Sequence, residues 1–219
     1  MLNGNFNIFK RITMETTNNK RMRYTKEIML EHAMIIINET GYDNVTVDQI
    51  CEELGVTKGS FYHHFKSKSD LIFQQYKLLE GQISDYYTQR INLPATEQLR
   101  AMFDWYVACF SEKNINETGI IIQFSLEKKW KNFAITNTFQ KGIMTNIIRR
   151  GIVEKVFRKS LNPVEISNFI FTNLFGILVQ WVGQSGRYKF DENFNHFYYV
   201  YLLPLLGINA KESADAVEV

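Results

Sequence analysis

Between Thr25 and Leu79, apolar residues fall at helical spacing in short bursts separated by glycine and hydroxyl residues. Met29, Leu30, Ala33, Ile36 and Ile37 recur at three- and four-residue intervals, which lays an apolar stripe along one helix face. Gly41 is the expected stop, because glycine accepts the backbone conformation that closes a helix end. A second helix is predicted after Thr46, whose hydroxyl can cap it while Gln49, three residues on, reaches back to complete a capping box. Its inward face is Val47, Ile50, Cys51 and Leu54. Gly55 separates it from a third stretch, Thr57 to His64, in which Val56 and Phe61 pack inward. Two short helices joined by a tight, glycine-containing turn form the pattern of a helix-turn-helix. Ser67 and Asp70 then stand as Ser-x-x-Asp before the apolar run Leu71, Ile72, Phe73. A long helix is expected from Ser67 to about Gln89, with Phe73, Tyr76, Leu79 and Ile83 packing into the rest of the chain.

Pro94 marks a break, after which Leu99, Met102, Phe103, Tyr106 and Phe110 give another helical stripe. Further helices fit Ile120 to Trp130 and Phe139 to Val156. From Pro163 onward the pattern changes: Ile170, Leu174, Ile177 and Trp181 form one stripe, and Phe171, Phe175, Leu178 and Val182 the next one round. The segment from about Asp191 repeats this with Phe194, Phe197, Tyr198, Tyr201, Leu202 and Leu205 beside Tyr199, Val200, Leu203 and Leu206. A helix apolar around so much of its circumference must be covered on two sides, one by its own core and one by a partner. A dimer interface is therefore expected at Phe171, Leu174, Leu178, Trp181, Tyr198, Tyr201 and Leu205. The aromatics Phe103, Trp105, Tyr106, Phe110, Phe124, Trp130 and Phe175 are candidates to line a pocket for an apolar or aromatic molecule, although any one of them alone is more simply a core side chain.

Composition narrows the class. Three prolines and 12 glycines in 219 residues, 45% of them hydrophobic, favour long helices over many short strands. Cys51 and Cys109 match no metal-ligand spacing and read as reduced, structural thiols. No apolar stretch of about 18 uninterrupted residues and no secretory signal is found, so a cytoplasmic protein without a membrane partner is expected. A formal net charge of +2 hides a pattern. Lys10, Arg11, Lys20, Arg21 and Arg23 stand against Glu15, and Lys58, Lys66 and Lys68 lie in a stretch with no acid. Acids gather between them, from Glu27 to Glu53, which suits a DNA-docking face with an acidic back as well as ordinary solvated surface. His63 and His64 point in different directions on a helix and have no third ligand in view, so no metal is expected. No Glu-x-x-His pair and no Ser/His/Asp or Cys/His arrangement supports an enzyme, and no cofactor is implied.

The run Gly41-Tyr42-Asp43-Asn44-Val45-Thr46-Val47-Asp48-Gln49-Ile50, followed by Leu54-Gly55-Val56-Thr57-Lys58-Gly59-Ser60-Phe61-Tyr62-His63-His64-Phe65-Lys66-Ser67-Lys68, resembles the DNA-binding signature of TetR (tetracycline-repressor-like) regulators. The likeness covers residues 23–83 in register; beyond that it is one of helical character and length. It implies an all-α fold, with a three-helix helix-turn-helix domain at 23–83 joined to a larger helical ligand-binding and dimerisation domain at 84–208. A basic, flexible arm at 1–22 and a disordered tail at 209–219 flank them. By position it makes Lys58 and Ser60 base readers, with Thr57, Tyr62 and His63 at the groove margin and Gly59 allowing close backbone approach. Thr46, Tyr62, His64 and Lys68 are implied to hold phosphates. The implied partners are a double-stranded operator, a second copy of the chain and a small-molecule effector, with repression the family default. A helical interaction module without DNA binding is the rival, and Lys58, Tyr62, His64 and Lys68 argue against it.

Overall fold

The computed structural model describes residues 25–111, 115–126 and 138–208, and all regular structure among them is helical. The expected arm at 1–22 and tail at 209–219 lie outside the described residues.

Each of the first four helices opens on a hydroxyl. α1 (Lys26–Thr40) starts at Thr25, which accepts from the Ile28 N–H, and ends at Gly41 with φ 91°. α2 (Val47–Leu54) carries the reciprocal box: the Gln49 N–H donates to Thr46 Oγ1 at 3.2 Å, and the Thr46 N–H to Gln49 Oε1 at 2.8 Å. α3 (Lys58–His64) follows Gly55, left-handed at φ 64°, and is capped by Thr57, which accepts from the Ser60 N–H at 3.1 Å. α4 (Lys68–Thr88) begins at Ser67. Such caps contribute about 1 kcal/mol each, a large share of what a seven-residue helix can be given locally. Burial supplies the rest. Met29, Ile37, Ile50, Phe61, Phe65 and Leu71 are fully enclosed in one apolar cluster, which makes Phe65 a core side chain.

The remainder is built from α5 (Ala95–Ser111), α6 (Ile115–Leu126), α7 (Thr138–Val153), α8 (Pro163–Gly183) and a terminal helix. The terminal helix runs as α9 (Phe190–His196), a π segment (Phe197–Leu202) and α10 (Leu203–Leu206). Pro204 has no N–H, and its ring would meet the carbonyl of Val200 in a regular α turn; the wider π turn just before it makes room. α6 begins five residues earlier than the expected Ile120, and the last part of that expected helix, 127–130, lies outside the described residues. Gln98 closes the turn before α5 by donating to the carbonyls of Arg90 and Ile91, and the Glu154 carboxylate accepts the Ala95 N–H at 2.9 Å.

Two elements belong to both halves of the molecule. α4 puts Leu71, Ile72 and Tyr76 into the first cluster and Ile83 into a second, larger one formed with α5, α7, α8 and the terminal helix. α6 buries Ile120 and Phe124 in the first cluster, and it packs on α8. The sequence reading found no apolar stretch long enough for a membrane span, yet the 21-residue α8 meets that length and apolar content. In the fold its Ile166, Ser167, Ile170, Leu174 and Ile177 are buried, against neighbours that include α6, α7 and α9.

Candidate nucleic-acid interface and cavity

Phe61 is the anchor of α3: its ring is fully buried and packs against Phe65 at 5.5 Å between centroids. With that side spent, Thr57, Lys58, Gly59, Tyr62 and His63 are left exposed together, while Ser60 and His64 are half-buried beside them. Tyr62 is 53% exposed, and its ring meets Phe61 edge-on, which braces the side chain. Lys58 Nζ stands 2.8 Å from Asp48 Oδ1, and this hydrogen bond and charge raise its pKa above the ordinary lysine value. Lys58 is a full cation held at the start of α3 by an exposed, screened partner that an incoming polyanion can replace. A methyl group on Gly59 would make only ordinary contact with Thr57 Oγ1, so nothing inside the chain requires glycine there. Thr46 is exposed, with its hydroxyl engaged in the α2 capping box.

Lys68 departs from its expected role. Its ammonium donates to the Tyr42 carbonyl at 2.5 Å and the Val45 carbonyl at 2.8 Å, and stands 4.2 Å from the centre of the Tyr42 ring. The α1–α2 connection ends in carbonyls that need donors, and the first residue of α4 supplies them. Lys68 fastens this loop, with its ammonium turned inward to the carbonyls. The two cysteines are buried free thiols, and burial pushes Cys51 up from its ordinary pKa. Among the described residues no cluster of His, Cys, Asp or Glu could hold a metal.

Between α4, α5, α6, α7, α8 and α9 lies an apolar cavity of about 230 Å³. Of the expected pocket residues, Tyr106, Phe110 and Phe175 line it. Phe103 and Trp105 are buried but do not: Phe103 faces the terminal helix, 4.6 Å from the Tyr198 ring. Phe124 points the other way, into the first cluster, where it meets Tyr42 edge-on at 4.9 Å. Trp130 lies outside the described residues. The wall includes side chains that the sequence reading missed or assigned elsewhere: Tyr76, Thr118, Gln140 and Phe194, together with Phe171, Leu174 and Leu178. Inside, the Tyr106 hydroxyl donates to Gln140 Oε1 at 2.8 Å, and burial pushes the Tyr106 pKa above its ordinary value.

The expected dimer residues are therefore redistributed. Phe171, Leu174 and Leu178 face the cavity, Trp181 packs on Phe190 at 5.6 Å, Tyr198 is buried against Phe103, and Leu205 packs on the larger cluster. Tyr201 is exposed. A different apolar set faces outward, namely Phe169 and Val179 on α8 with Val200 and Tyr201 on the terminal helix. Phe169 lies 5.6 Å from the Phe197 ring, which places the outer edge of α8 beside the turn bearing Val200 and Tyr201. Members of both apolar stripes of α8 are turned inward, to the core or to the cavity, and the outward Phe169 and Val179 belong to neither stripe.

The geometry is that of a helix-turn-helix protein with a cavity-bearing helical body. Residues 29–74 match the bacterial regulatory proteins of the tetR family. The Transposon Tn10 TetC protein of Escherichia coli is 33% identical over 106 residues, 47% of this chain and 54% of that protein. The HTH-type transcriptional regulator AcrR of Shigella flexneri is 33% identical over 61 residues, 28% of each. The chain thus spans about half, or less, of the length of these relatives. Among solved structures, FadR of Bacillus halodurans, a fatty acid degradation regulator, superposes with a TM-score of 0.63 at 19% identity over 84% of this chain and all of that one. A tetR-family FadR of Thermus thermophilus, solved in complex with lauroyl-CoA, gives 0.62 at 14% identity over 81% and 95%. The match at residues 29–74 places the likeness to the tetR family in the amino-terminal helices, and more than four fifths of the chain shares the fold of these solved regulators.

Replacing Lys68 with alanine strands the Tyr42 and Val45 carbonyls and is expected to cost about 1–2 kcal/mol of stability. Thermal unfolding should show a lower midpoint, while the salt dependence of DNA affinity keeps its slope. An unchanged midpoint with a flatter salt slope would return Lys68 to the phosphate role.

Proposed function

We propose that the chain is a sequence-specific DNA-binding transcriptional regulator, a repressor released from its operator by a small apolar effector. The observation that carries this reading is the outward set of α3. Lys58, Tyr62 and His63 stand exposed on a helix whose opposite side is anchored by fully buried Phe61. An α-helix fits the B-form major groove, and the second helix of a helix-turn-helix presents its first residues to base edges. Lys58 and Ser60 are at that end, with Thr57, Gly59, Tyr62 and His63 at the margin. Thr46 and His64 are placed to meet phosphate, and the α2 N-terminus offers its positive dipole end. Catalysis forms no part of this function.

Control follows from the shared helices. α6 carries Ile120 and Phe124 in the DNA-binding cluster and Thr118, Ile121, Ile122 and Ser125 on the cavity wall. α4 does the same with Leu71 and Ile72 on one side and Tyr76 and Leu79 at the cavity. A molecule that fills the cavity and prefers one setting of these helices changes the placement of α3; one with equal affinity for both settings changes nothing. The mechanical link is thus α6 together with α4. The FadR of Thermus thermophilus is described as a repressor in complex with lauroyl-CoA, which supports a ligand-responsive body here.

Two experiments test the reading. DNA fragments selected on the protein should share a pseudo-palindrome with half-sites about 34–36 Å apart or somewhat more. Lys58→Ala should lose preference for that sequence by about tenfold or more while keeping its affinity for random DNA; equal loss on both, or no enriched sequence at all, contradicts it. For the second copy, Tyr201→Glu combined with Val179→Glu should convert a dimer to a folded monomer by sedimentation, because both side chains are already exposed in the single chain. A wild-type monomer at micromolar concentration would contradict dimerisation through this face.

A further inference from the structure

Thr118 is fully buried on the cavity wall, and its hydroxyl has no hydrogen-bond partner. A buried hydroxyl without a partner is costly, and a native chain that keeps one calls for an explanation. The neighbouring polar groups do not supply it. Ser125, also on α6 and at the cavity, donates to the Ile121 carbonyl at 2.7 Å, and the Tyr106 hydroxyl spends its proton on Gln140. The rest of the wall is apolar apart from the Tyr76 phenol, Lys141 and Thr172, and it carries no acid. Lys141 is half-buried, and a long flexible stem lets its ammonium stay in water.

We infer that the cavity takes an uncharged, largely apolar molecule bearing one hydroxyl or carbonyl oxygen, which Thr118 meets. This deepens the effector-controlled reading above and rests on it. Size supports the class: a cavity of about 150 Å³ accommodates benzene, so about 230 Å³ suits a bicyclic ring or a chain of similar bulk. Charge supports it as well. A carboxylate or phosphate placed deep among Phe110, Phe171, Phe175 and Phe194 would lose its hydration with no buried cation to replace it. A wholly apolar molecule would fill the space and leave the Thr118 hydroxyl unmet. A single neutral oxygen satisfies both conditions, and it turns Thr118 from a liability in the empty protein into the residue that selects the ligand.

The test uses 2-naphthol, naphthalene and 2-naphthoate as probes on the full chain without DNA, with binding measured by calorimetry or fluorescence titration, and Thr118→Val as the isosteric change. The wild type should prefer 2-naphthol over naphthalene by about fivefold to tenfold. In Thr118→Val that preference should vanish or reverse, while naphthalene affinity stays within about twofold. The variant should also unfold at an equal or higher temperature in the absence of probe, because a methyl replaces an unpaired hydroxyl. Equal wild-type affinities for 2-naphthol and naphthalene overturn the inference, as do a preference that survives Thr118→Val, a destabilised variant, or no binding of either probe. Binding of 2-naphthoate alone, abolished by Lys141→Ala, overturns it in favour of an anionic class. Because DNA is absent throughout, each of these results leaves the DNA-binding reading to stand or fall on its own experiments.

Discussion

Burial of Phe61 is the contact on which the rest depends. α3 has seven residues, too few to persist as a helix in water. It exists because Phe61 and the following Phe65 are enclosed by apolar residues of α1, α2 and α4. That choice fixes the rotation of α3 about its axis, and with it the identity of the outward residues. Lys58 and Tyr62, three and one positions from Phe61, are exposed as a consequence of the same packing. The interface is the remainder of a core, which explains how a short helix can present side chains with little freedom of orientation.

In the proposed function, the same cluster is the route by which a signal reaches α3. Ile120 and Phe124 of α6 are members of it, so the DNA-binding unit is not closed on itself but completed by a helix from the body. Phe124 meets Tyr42, and Tyr42 is in turn under the Lys68 ammonium that ties the α1–α2 loop to α4. A displacement of α6 acts on a junction where α1, α2 and α4 all meet. Close packing transmits such shifts because side chains in a filled core have no slack to absorb them.

What could be read from the sequence was whatever is local. Caps at Thr46 and Ser67 and the glycine turn at Gly55 are decided within a few residues, and they stand in the fold where spacing puts them. The inward contacts of Lys68 are not legible locally, because the carbonyls it meets are 23 and 26 residues away and nothing near Lys68 announces them. The outer face of α8 is hidden from the sequence for a different reason: residues of both apolar stripes are taken up by the core and the cavity, and only the positions of α6, α7 and α9 leave Phe169 and Val179 outside. The cavity shows the same limit. Aromatic content pointed to Tyr106, Phe110 and Phe175, but also to Phe103, which serves the core, and it was silent on Thr118, the one wall residue among those described whose buried hydroxyl goes unmet.

The central claim is that occupancy of the cavity and the setting of α3 are one equilibrium. Linkage makes it measurable, because a ligand that weakens operator binding must itself be weakened by operator to the same factor. The direct measurement is the affinity of 2-naphthol for the protein alone and for the protein saturated with its selected operator, alongside operator affinity with and without saturating 2-naphthol. The account predicts weaker ligand binding in the presence of operator, by a factor equal to the loss of operator affinity caused by the ligand. Identical ligand affinities in the two titrations would contradict it and leave a DNA-binding protein whose cavity has no part in its control.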